Sequence, residues 1–204
     1  NFYLNFFYTI LTIIVCLEFL SLNFEKYPLD LFHDGDWLSP ATNYFNNGGL
    51  WSSSYTSHGG SFLFTVPLSW KFFGLKTIGS QRIALYFIIF LIKFLSVTLV
   101  FYISQIITKS KNLQTIFFII LASVFLSFNK YATFDFSYNP QRNLFLIIFL
   151  ILIIKVYFFS SNERLWSFIL GTTSALSFMW VIDRGIYVNV LMFFILFFSL
   201  IRRQ

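Results

Sequence analysis

"RIALYFIIFLIKFLSVTLVFYISQII", residues 82–107, carries a single charge, Lys93, after its opening arginine. A helix over this run is roughly 39 Å long at 1.5 Å per residue, more than the ~30 Å hydrocarbon core of a bilayer. The rest of the chain has the same character. It is 57% hydrophobic and only 11% charged, with a mean hydropathy of +0.75, whereas soluble domains are about 25% charged. The 31 phenylalanines are what an AT-rich coding sequence produces and carry no functional weight. The composition specifies an all-α, polytopic membrane helix bundle.

Working outward, apolar runs of spanning length lie at about 2–22, 82–107, 113–129, 143–159, 164–182 and 185–201, which predicts about six transmembrane helices. The first run lacks a basic leader, and "SLNFEKYP" is not a small-residue cleavage site, so it reads as a retained helix. Residues 1–204 read as a single transmembrane module and as a piece of a longer protein. The net charge of +6 comes from bases scattered at helix ends, which excludes a nucleic-acid surface. Cys16 is the only cysteine, so neither an intrachain disulfide nor a cysteine metal site is available. Nothing in the pattern fixes an oligomeric state.

Lys109 and Lys111, Arg164, and Arg202 with Arg203 fall on one side if six spans alternate. By the positive-inside rule that side is cytoplasmic, together with the N-terminus. A bacterial inner membrane is the expected setting. Three segments then face outward: a long first loop at about 23–81, a second at 130–142, and a tight "DRG" turn at 183–185.

Loops as long as the first are usually functional or disordered, and this one has ordered features. Ser39 before Pro40 reads as a helix N-cap with proline at the first position, and "NNGG" as the stop, predicting a short helix over 40–47. "SFLFTVPLSWKFFG", residues 61–74, is too short to span and is expected at the interface, with Trp70 near the headgroups.

On this topology the outward face gathers His33, Asp34, Asp36 and His58 from the first loop, Asp135 and Arg142 from the second, and Asp183 with Arg184 from the third. Carboxylates serve as general bases or as hard oxygen ligands to a divalent cation. Arginines grip phosphate with forked donors. Each residue also has a structural reading. Asp-Gly is a common turn, acids stabilise a helix start, His58 sits beside a glycine turn, Asp183 and Arg184 can cap a hairpin, and Arg142 can snorkel. Lys93 lies roughly 16 Å into its span and Glu18 only some 6 Å below the same surface, so a direct pair requires a helix offset or a long lysine reach.

An inside N-terminus, one helix, a long outer loop with an acidic pair and then short helical hairpins make the chain resemble the membrane glycosyltransferases of the GT-C superfamily. The residues that carry the resemblance are "HDGDWLSPATNYFNNGGLWSSSYTSHGG", "FTVPLSWKFFG" and "VIDRGIY". It is a likeness of architecture to the N-terminal part of the family's transmembrane module. The resemblance implies transfer of a sugar from a polyprenyl-phosphate carrier, a membrane lipid, to an acceptor on the outer, periplasmic face. It implies that Asp34 or Asp36 is the catalytic acid, acting as base or as ligand to a divalent cation such as Mg or Mn in members that use one. His33, His58, Asp135, Arg142, Asp183 and Arg184 are then expected around the substrate.

Two other readings compete. A transporter or lipid flippase would use Lys93 and Glu18 along a polar path through the bilayer. A non-catalytic scaffold subunit would leave the outer acids scattered.

Overall fold

The computed structural model describes residues 1–21, 31–47, 60–132, 140–159 and 163–202. They are all-helical, with no strand among the described residues. In chain order the helices are α1 (Phe2–Leu20), α2 (Leu31–Asn47), α3 (Gly60–Phe73), α4 (Ile78–Ile107), α5 (Lys111–Ala132), α6 (Leu144–Ile154), α7 (Glu163–Trp180) and α8 (Ile182–Arg202). A 3₁₀ turn, Pro140–Asn143, leads into α6, and a π-helical turn, Lys155–Phe159, continues it.

Among the described residues three helices are long and apolar enough to cross a membrane: α1, α4 and the Ile182–Ser199 part of α8. Shorter apolar stretches occupy Lys111–Leu126 and Leu144–Phe159. The outer faces present Phe2, Phe168, Phe193 and Phe198, all exposed. A helix that is apolar on every side suits a lipid environment.

α4 is the central post, packed by α1, α3, α5 and α6, while α6 carries the contact on to α7 and α8. Its polar first turn is capped by Thr77, whose hydroxyl accepts from the Ser80 amide at 3.2 Å, so it begins earlier than hydropathy alone indicates. Along its length Leu4, Val15, Val97, Val100, Phe118 and Ala122 form the α1–α4–α5 core. Ile88, Ile92, Leu99 and Ile147 form the core towards α6.

Ring and hydroxyl contacts fix the directions. Tyr8 meets Thr98 at 3.1 Å and Phe19 meets Phe90 with centroids 4.9 Å apart, so α1 runs antiparallel to α4. Leu144 packs into the cluster of Ile88 and Phe159 meets Tyr102 at 5.4 Å, so α6 runs parallel to it. Asn1 donates through Nδ2 to the Lys111 carbonyl at 2.7 Å, and Gln114 closes the α4–α5 turn by donating to the Thr108 carbonyl at 2.8 Å. These contacts define an N-terminal end. The far end holds the start of α4, the 3₁₀ turn, the end of α7 and the start of α8.

Two local expectations change. α2 does not begin at Pro40 but at Leu31, running through both Gly35 and Pro40. Gly and Pro cost a helix interior about 1 and 3 kcal/mol respectively. What offsets them is packing: Ala41, with Leu38 beside it, closes a cluster with Val66, Trp70 and Leu85. Trp70 is buried in that cluster, and its indole Nε1 donates to the Thr77 carbonyl at 3.1 Å, so it fastens α3 to the start of α4 rather than facing outward. Likewise "DRG" is not the turn itself. α7 ends at Trp180, and Asp183, Arg184 and Gly185 form the first turn of α8.

Candidate functional site at the far end of the bundle

Pro140 opens the 3₁₀ turn, where its fixed φ and missing N–H fit a first position, and the turn presents Arg142. Asp183 lies in the first turn of α8, where a carboxylate is favoured by the helix dipole. The two meet: Arg142 Nη1 is 3.8 Å from Asp183 Oδ2, with both side chains partly exposed. Arg184 lies over the Tyr187 ring, 5.7 Å from its centroid.

The α7–α8 hairpin that carries them is tightly built. A Cβ at Gly185 would stand 2.3 Å from the Phe178 Cα, so only glycine permits this approach. Asn189 clamps the pair, donating to the Ser174 carbonyl at 3.1 Å and to the Gly185 carbonyl at 2.8 Å, and accepting from the Ser174 hydroxyl at 3.1 Å.

α4 adds two polar side chains that the sequence did not single out. Gln81 has no exposure and Arg82 is buried. Neither amide atom of Gln81 meets a hydrogen-bond partner among the described residues. With Phe159 beside Tyr102 in a parallel pair, position 142 falls level with about position 85, so Gln81 and Arg82 stand roughly one helical turn from the Arg142 level. The available signal was a Gln-Arg pair at the mouth of a long apolar run.

His33, Asp34 and Asp36 lie on α2. His58 and Asp135 lie outside the described residues.

Beside this end runs an open apolar groove of about 890 Å³ between α3, α4 and the ends of α1 and α7. Phe19, Leu68, Phe72, Phe87 and Trp180 are among its walls, with Lys71 as the cationic member. Deeper in the bundle Lys93 donates to Glu18 in a direct ion pair between α4 and α1, the lysine buried and the glutamate about half exposed. By the Tyr8–Thr98 and Phe19–Phe90 registers, Lys93 is level with about positions 13–16, so its side chain spans roughly 3–7 Å of axial offset.

Comparison with protein-family models, curated proteins and solved structures finds no match for this chain.

Proposed function

We propose that the chain is the transmembrane module of a GT-C-type glycosyltransferase, transferring a sugar from a polyprenyl-phosphate carrier to an acceptor on the outer face. In this reading the helices α1, α4, α5, α6 with its π turn, α7 and α8 are six spans. The N-terminal end, with Lys109, Lys111, Arg164 and Arg202, is cytoplasmic, in a bacterial inner membrane.

The observation that carries the reading is that distant segments bring Arg142 and Asp183 together at the end of α4 against which the acid-bearing α2 is packed through α3. An acid, guanidinium groups and an apolar groove at one end of a bundle suit a substrate that is half lipid and half phosphate-linked sugar. Asp34 or Asp36, both on α2, is the base that takes the proton from the acceptor hydroxyl. The acceptor oxygen bonds to the anomeric carbon as the bond from that carbon to the phosphate oxygen breaks. The departing polyprenyl phosphate keeps the electron pair, and Arg142 and Arg184 stabilise its charge. The groove receives the polyprenyl chain, with Lys71 near the headgroup. Where a divalent cation takes part, Asp34 or Asp36 would supply its hard oxygen ligand. The transport reading draws on Lys93 and Glu18, which pair directly with each other.

The test is transfer of radiolabelled sugar from a polyprenyl-phosphate donor by the full chain and its variants. Asp34→Asn or Asp36→Asn is expected to lower kcat by about 10²–10⁴-fold. Undiminished transfer by both variants would remove the proposed base.

A further inference from the structure

We infer that the side-chain amide of Gln81 reads a hydroxyl of the sugar held at the far end of the bundle, an assignment that rests on the transferase reading above. Gln81 is wholly buried, and both its Nε2 and Oε1 are without a hydrogen-bond partner among the described residues. A buried donor or acceptor left unmade costs about 1–3 kcal/mol, and an apolar side chain of similar volume would avoid that cost. None of the described residues supplies that partner, and a bound ligand group would.

The chemistry of the side chain selects the partner. An amide offers one donor group and one acceptor and no charge. It matches a hydroxyl, which also donates and accepts, and it does nothing to neutralise a phosphate. The guanidinium groups of Arg142 and Arg184 do that, and by the Tyr102–Phe159 register the Arg142 level lies about one helical turn along the α4 axis from Gln81. The far end thus divides the work: arginines hold the phosphate, and Gln81 recognises the neutral polyol next to it. A single ordered water would also satisfy the amide, and the experiment is chosen to separate the two.

The full chain in lipid nanodiscs is titrated with farnesyl phosphate and with farnesyl phosphate carrying glucose, galactose, mannose or arabinose. The wild type is expected to bind at least one glycosylated probe about tenfold more tightly than the bare lipid phosphate, the gain of one good hydrogen bond. Gln81→Met should erase that preference while leaving the affinity for farnesyl phosphate within about twofold. Gln81→Asn, which retains the amide on a shorter stem, should retain part of it. Without ligand the methionine variant should melt at or above the wild-type temperature, because it deletes an unpartnered amide.

A sugar preference unchanged in the methionine variant overturns the inference. So does a lowered melting temperature with both classes of probe weakened equally, which marks an amide held by structural water. If the wild type binds bare and glycosylated lipids alike, the Gln81 assignment falls while lipid-phosphate recognition stands. If it binds neither, the transferase reading falls with it.

Discussion

Arg142 and Asp183 face one another at 3.8 Å from two helix-initiating turns, one leading into α6 and the other opening α8. Both side chains are partly exposed, and pairs of that kind contribute only about 0.2–1 kcal/mol. Their value lies in orientation. In a double-mutant cycle with Arg142→Ala and Asp183→Asn, the stability coupling should stay below about 1 kcal/mol. Donor-lipid affinity should nonetheless fall at least tenfold in the arginine variant. A coupling of several kcal/mol would show the pair to be chiefly structural.

The Glu18–Lys93 pair is asymmetric, since the lysine is buried and the glutamate about half exposed. Glu18→Gln leaves a buried cation without its counter-ion and should cost roughly 3 kcal/mol. Lys93→Met leaves an acid that reaches the surface and should cost less. The double variant should recover most of the loss. Unfolding in mild detergent measures all three, and equal penalties for the two single variants would contradict the burial pattern.

Gly185→Ala places a methyl group against the Phe178 backbone. Backbone cannot yield as a flexible side chain does, so the α7–α8 hairpin must spread, at a cost of about 1–3 kcal/mol or more. Asn189→Leu removes both bonds to Ser174 across the hairpin and should cost about 1–2 kcal/mol. Cysteine crosslinking between α7 and α8 would report the spreading, and unchanged crosslinking in the alanine variant would refute it.

Ala84 lines the apolar groove. Ala84→Trp fills part of the space and should raise KM for a long-chain donor by about tenfold while leaving kcat nearly unchanged, the signature of lost uniform binding. A donor with a shortened chain should be affected less. Equal effects on both donors would place the chain elsewhere.

The helical class and the helix over 82–107 were legible because hydropathy reports long apolar runs directly. Hydropathy is blind to a capped polar turn, so Thr77 and Ser80 extended α4 beyond the expected start. The acidic segment was misread because Gly35 and Pro40 are local breakers, whereas packing of Leu38 and Ala41 against Trp70 and Leu85 is a long-range effect. The Glu18–Lys93 pair was half legible: the depths of both residues followed from counting, but the reach depended on the α1–α4 register. Gln81 left no periodic trace, since it lies in the polar stretch Ser80–Arg82 that opens α4 and looks like any helix-end glutamine. The meeting of Arg142 with Asp183 joins two elements that only the packed bundle makes neighbours.

The same ion pair bears on how the protein is made. Glu18 and Lys93 are separated by 75 positions, so at about 5–20 residues per second the ribosome delivers the lysine roughly 4–15 seconds after the acid. During that interval the first helix must wait with an uncompensated carboxylate. Its location three residues before Ser21, at the end of α1, keeps that carboxylate near a helix terminus until the later α4 captures it, latching α1 onto the central helix during biogenesis.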